Sequence, residues 1–125
     1  MKKFLLIAFF VPTLAFGGTW NIVATSSGGN KFYIEKESIT RNGNEVNYWV
    51  KVNLGKRHEQ GYLSTKENWV TNCKTRDDNV KHIILFSDFD NMGTVIRQHR
   101  YSKEEWKPVS PDSIGDDIIK FVCTQ

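Results

Sequence analysis

The chain has 125 residues, 39% of them apolar, and carries 17 basic against 14 acidic side chains for a net charge of +3. That length suits one domain with a modest core, and so small an excess of charge excludes the strongly basic surface of a nucleic-acid-binding domain. Two of the cations, Lys2 and Lys3, fall in an export leader, so the remainder is close to neutral, with 15 basic and 14 acidic groups.

Residues Met1 to Gly17 have the layout of a secretory signal: two lysines, an apolar run from Phe4 to Phe10, and a small-residue site at Ala15-Phe16-Gly17. Cleavage is expected after Gly17, leaving a single domain over residues 18–125. Phe4 to Phe16, interrupted by Pro12, falls short of the roughly 20 apolar residues a spanning helix needs, so no membrane span is expected. No cysteine borders the leader, so no lipoprotein anchor is expected either. The product is then exported, to be periplasmic, secreted or associated with the cell surface.

After the leader, turn signals divide the chain into short strands. Trp20 to Thr25 is the first and Lys31 to Lys36 the second. The Asn-Gly pair inside Arg41-Asn42-Gly43-Asn44 marks a hairpin turn. Glu45 to Leu54 alternates most clearly: Val46, Tyr48, Val50, Val52 and Leu54 share one face, and Glu45, Asn47, Trp49, Lys51 and Asn53 the other. The polar stretch Gly55 to Gly61 reads as an exposed connection, followed by a strand from about Tyr62 to Lys74 that places Cys73 on the face of Trp69 and Thr71. Asp77-Asp78-Asn79 reads as a turn. Val80 to Ser87 is apolar enough for a central strand, and Thr94 to Tyr101 completes six.

The C-terminus alone reads as a substantial helix. Ser110 is the expected N-cap and Pro111 the first helical residue, with Asp112, Asp116 and Asp117 at the positive end of the helix dipole. Ile114, Ile118, Phe121 and Val122 form one apolar stripe, which needs a surface to lie on. The expected fold is α+β: a six-stranded antiparallel meander with one C-terminal helix packed on a face. Cys73 and Cys123, the only cysteines, are expected to join in the oxidising compartment and fasten that helix to the sheet.

Chemistry is poorly represented. His58, His82 and His99 are the natural general bases and Asp88 and Asp90 the natural carboxylate pair, yet none sits in a catalytic pattern. The cysteines have no CxxC spacing, and the histidines no ligand spacing with them. Asp88 to Gly93 has the acids and glycine of part of a calcium loop, but Met92 stands where that loop needs an oxygen and His99 where it needs the closing glutamate. A hairpin turn is expected there, and no enzyme activity, cofactor or metal.

The order of motifs resembles the surface-adhesin protein E family of Gram-negative bacteria: Phe32-Tyr33-Ile34 with Ser38-Ile39, Val46-Asn47-Tyr48-Trp49, Trp69-Val70-Thr71-Asn72-Cys73, then Trp106, Pro111-Asp112-Ser113-Ile114-Gly115 and Val122-Cys123. The resemblance covers essentially the whole chain after the leader. It implies a six-stranded sheet with a disulfide-tethered helix, and a non-enzymatic protein that binds host matrix or plasma proteins and can form a homodimer. The family's type member is a lipoprotein, from which this leader departs.

A candidate binding surface follows from the residues. Trp49 and Lys51 share the polar face of the third strand, and the next connection adds Lys56, Arg57 and His58; aromatic and arginine side chains anchor many interfaces. The expected partner is an acidic protein or polysaccharide. In the competing reading Trp49 packs beneath the chain's own loops or in a dimer, and the cations solvate a turn. Other functions in view are a periplasmic inhibitor of a lysozyme-type enzyme and an envelope structural protein. Lys31, Lys36 and Arg100 are candidates for blunting exposed strand edges.

Overall fold

A computed structural model describes residues 19–125; the leader expected over 1–17 lies outside the described residues. The strands are β1 (Trp20–Thr25), β2 (Lys31–Glu35), β3 (Thr40–Asn42), β4 (Glu45–Asn53), β5 (Ser64–Asn72), β6 (Asp77–Phe86), β7 (Val95–Arg100) and β8 (Lys107–Pro108), followed by one helix, α1 (Ile114–Val122). Six of the strands form an antiparallel meander in the order β1-β2-β4-β5-β6-β7. The two short ones fill in beside the longest: β3 extends the edge that β2 leaves on β4, and β8 pairs with the start of β6.

The fold class is as expected, and the differences are local. Asp77, Asp78 and Asn79 belong to β6, paired with Asn72, Thr71 and Val70. The turn lies earlier, where Arg76 takes a left-handed conformation (φ 64°) and its N–H donates to Asn72 O. The Asn42-Gly43 turn joins β3 to β4, with Gly43 at φ 64° as such hairpins require. In β6 the register slips between the partners of Asn68 and Trp69, so Val80 faces the helix side while His82 faces the other.

Helix α1 starts three residues later than expected. Asp112 is left-handed (φ 60°), so Ser110 and Pro111 precede the helix, and the N-cap is Ser113, whose hydroxyl accepts the Asp116 N–H at 3.2 Å. Asp116 is more than a dipole-matching acid. Its side chain is buried, pairs with Arg76 from the β5–β6 turn, lies 3.2 Å from Lys120, and accepts the Asp112 N–H at 2.9 Å.

The core lies between α1 and the β1–β4 half of the sheet. Ile34, Val46, Tyr48 and Val50 are completely buried against Ile118 and Val122, with Ile114 and Phe121 at the margin. The apolar stripe therefore finds the surface it needs. Cys73, just beyond β5, and Cys123, at the end of α1, form a disulfide with Cα atoms 5.8 Å apart. The helix covers about half of its face, because β5, β6 and β7 continue past it.

A pH dependence follows from Asp116. The Asp112 backbone N–H, then Lys120 and Arg76, hold its carboxyl below the usual range. A depressed carboxyl contributes stability that is complete above its unfolded pKa, about 4, and is lost as pH falls through the lower folded value. Asp116→Asn should therefore be less stable than the parent at neutral pH, with the gap closing below about pH 4. Urea denaturation across that range checks it; a gap that persists at low pH would contradict it.

Candidate functional site

The face of the sheet opposite α1 receives the alternate residues of every strand. Strand pairing places Ile22, Tyr33, Lys51, Lys66 and Ile84 in one row across β1, β2, β4, β5 and β6, and Trp49, Asn68 and His82 in the next. Lys51 and Lys66 are directly opposite, an unfavourable pairing unless each finds other company. They do. Lys66 Nζ lies 5.1 Å from the centre of the Trp49 ring. Lys51 turns away, its Nζ 4.6 Å from the Tyr33 ring, 5.1 Å from the Trp20 ring and 3.1 Å from Asp90 Oδ1.

Lys51 is thus buried, at 8% exposure, inside two aromatic rings and a carboxylate. Asp90 comes from the turn between β6 and β7. Asn53 grips it twice, its amide donating to Asp90 Oδ1 at 2.8 Å and its Oδ1 accepting the Asp90 N–H at 2.8 Å. These hydrogen bonds, first from Asn53 and then from Lys51, hold the Asp90 carboxyl below its usual range. Asp90 and Asn91 are both left-handed (φ 59° and 60°), a conformation Asp and Asn tolerate best among residues with a Cβ. Asn91 completes the tie by donating to Thr65 O at 2.8 Å.

Trp49 is half-buried, its ring meeting His82 edge-on at 5.9 Å between centroids. His82 is buried and paired with Gln98 Oε1 at 3.1 Å. The Trp49 N–H lies where β2 has ended and β3 not yet begun, and the Ser38 hydroxyl accepts it at 3.1 Å. The ring is therefore fixed from the backbone outward, between a cation and an imidazole.

The expected patch divides in two. Trp49 and Lys51 lie on this face, Trp49 partly open and Lys51 enclosed. Arg57 belongs to the loop beyond β4, where its guanidinium donates to Gly61 O and Ser87 O, each at 2.8 Å. His58 stacks on Tyr62 at 4.4 Å, and its Nδ1 accepts the Gln60 N–H. Lys56 is exposed. Of the three cations considered as edge guards, only Arg100 lies on an edge strand, since β2 is internal and Lys36 is in the turn after it.

Sequence reading missed Lys66 and His82 as neighbours of Trp49, and Trp20 and Tyr33 as neighbours of Lys51. Alternation alone marks Lys66 as facing away from Trp69, but joining the strands into one face requires their register, and the long β2–β4 connection does not reveal it. Among the described residues, no three His, Cys, Asp or Glu side chains gather as a metal site, and no helix is long and apolar enough to cross a membrane. What the face offers is aromatic area with fixed cations, suited to recognising an acidic surface.

Residues 20–124 match the family model described as surface-adhesin protein E. Among solved structures, crystal form II of Haemophilus influenzae protein E is similar at 17% identity and a TM-score of 0.65, covering 95% of this chain and 97% of that one. Protein E from non-typeable Haemophilus influenzae is similar at 16% identity and a TM-score of 0.62, with 92% and 82% covered. At these identities the likeness is one of fold. Comparison with curated proteins finds no match.

Proposed function

The chain belongs to the surface-adhesin protein E family, and on that premise we propose that it is an exported, non-enzymatic adhesin that binds a host extracellular-matrix or plasma protein. The observation that carries the reading is the aromatic and cationic face opposite α1. Trp20, Tyr33 and Trp49 present partly open rings, and Lys66 and Lys51 are held against them. Side chains already fixed lose less freedom when a partner docks, so such a face binds more tightly than the same residues on a mobile loop. The histidines considered as bases have other engagements: His58 stacks on Tyr62, His82 is buried against Trp49 and Gln98, and His99 meets the Tyr101 ring edge-on.

The reading includes export. We expect the leader over Met1 to Gly17 to be removed, so the intact mass of the protein recovered from its host should correspond to residues 18–125. A retained leader would contradict this.

Function is tested with that mature protein on an immobilised extracellular-matrix preparation and on immobilised plasma proteins, alongside protease treatment of intact cells. Saturable binding together with cleavage on intact cells is expected. Absence of binding to both surfaces sinks the host-ligand reading. Resistance to protease, with release only by osmotic shock, moves the protein to the periplasm and removes adhesion from its role.

A further inference from the structure

Because α1 stops short, the helix-side surface of β5, β6 and β7 is open. It forms a groove of about 690 Å³ floored by Trp69, Val80 and Ile83 and walled by His99, Tyr101 and Val109. A second hollow of about 440 Å³ continues it past Ile83 and Tyr101 toward Tyr62 and Leu85. Beside them runs β7, an edge strand exposed at all six positions.

The backbone of β7 has one side free. Tyr101 N–H donates to Lys81 O at 3.0 Å, and the pairing alternates from there, so Arg97 and His99 exchange hydrogen bonds with β6. The N–H and C=O groups of Gln98 and Arg100 then point outward along the open edge. Such a row is a template for another strand.

Charge selects what that strand is. Arg97 and Lys103 stand around the groove, Arg100 stands opposite His82 on the far face of the same edge, and none of the three has an ion-pair partner among the described residues. The acids nearby are committed: Glu105 pairs with Lys107 at 3.2 Å, Glu67 accepts from Thr65 and Trp69, and Asp78 accepts from Thr71. A second copy of β7 laid against the first would bring Arg97 and Arg100 up to cations of their own kind, which disfavours self-pairing.

We propose that β7 and the adjoining groove dock an extended acidic segment of a partner protein, which adds a strand to the sheet at Gln98 and Arg100 and places apolar side chains in the groove. This is recognition by strand addition, where main-chain hydrogen bonds give affinity and alternate side chains give selectivity. It goes beyond the aromatic face, which lies on the other side of the sheet, and either site can fail without the other.

The test uses the mature protein and a short synthetic peptide of alternating valine and glutamate, with an alternating valine and lysine peptide as control. Titration followed by amide hydrogen exchange should show binding of the acidic peptide alone and new protection at Gln98 and Arg100. Arg97→Glu combined with Lys103→Glu should weaken binding by about tenfold or more, whereas Lys66→Glu on the opposite face should leave it unchanged. Gln98→Pro, which removes an outward N–H and keeps the main-chain ladder to β6 at the cost of the Gln98–His82 side-chain hydrogen bond, should also abolish binding while the fold persists by circular dichroism. Equal binding of both peptides, unchanged affinity in the charge-reversed variant, or protection elsewhere would overturn the proposal. So would protection of the β7 amides that grows with protein concentration in the absence of peptide, since the occupant would then be a second copy.

Discussion

Replacing both cysteines, Cys73→Ser with Cys123→Ser, should lower stability by about 4 kcal/mol, the chain-entropy value for a loop of this length. The bridge spans 50 positions and joins the end of α1 to the end of β5. Without it, α1 is held by Ile118, Ile119 and Val122 in the core, by Asp116 on Arg76, and by Arg41 donating to Cys123 O at 3.1 Å. Those contacts keep the helix docked in the native state, so the loss should appear mainly as a wider unfolded ensemble. For a domain of about 108 residues, 4 kcal/mol corresponds to a fall in Tm of roughly 15–30 °C. Reducing the parent protein should reproduce the shift. Amide exchange should accelerate first along Ile118 to Val122, because their tether is the one removed. A loss under about 1 kcal/mol would contradict the assignment of the bridge's effect to the unfolded ensemble.

Tyr48→Ala should cost about 3–5 kcal/mol, as expected for deleting a fully buried aromatic ring. Tyr48 lies at the centre of β4, completely buried, with its ring tilted toward Trp69 at 6.2 Å. It also begins a buried polar relay. Its hydroxyl lies 2.6 Å from Thr71 Oγ1, which in turn donates to Asp78 Oδ1 at 2.6 Å. The single Thr71 proton goes to Asp78, so Tyr48 must be the donor to Thr71. Burial, then the charge of Asp78, pushes the Tyr48 hydroxyl far above its usual pKa, and burial likewise raises the Asp78 carboxyl. Tyr48→Phe keeps the ring and removes one donor, so it should cost only about 1 kcal/mol. Urea denaturation of the two variants separates ring from hydroxyl; a Phe variant as unstable as the Ala variant would show that the relay, rather than the packing, dominates.

Much of this architecture is legible in the sequence because its signals are local. The alternation of Val46, Tyr48, Val50 and Val52 marks the core face of β4, and Ile114, Ile118 and Val122 mark the stripe that covers it. The leader expected over Met1 to Gly17 implies an oxidising compartment, and it is on that expectation that the sequence pairs Cys73 with Cys123. What escapes the sequence depends on register and on backbone detours. The slip at Lys81 sends Val80 and His82 to opposite faces, although simple alternation puts them together. The left-handed Asp112 delays the helix to Ser113, and Asp116 then changes from a surface acid to a buried tie. Trp49 is identifiable as the outward aromatic of β4. Its neighbours Lys66 and His82 come from strands whose pairing no local motif specifies. Lys51 illustrates the same limit: the sequence places it on the right face, but Asp90, brought in by the β6–β7 turn, encloses it.

Partner binding is expected on the face opposite α1, where Trp49 is the outward aromatic side chain fixed between Lys66 and His82. The direct measurement is the affinity of the mature protein, and of Trp49→Ala combined with Lys66→Ala, for whichever matrix or plasma protein it retains, with urea denaturation confirming that the variant is folded. Loss of an interface anchor of this kind costs about 2 kcal/mol or more, so affinity should fall by roughly thirtyfold. A folded variant that binds as tightly as the parent would contradict the account and leave the β7 edge and its groove as the surface to which binding belongs.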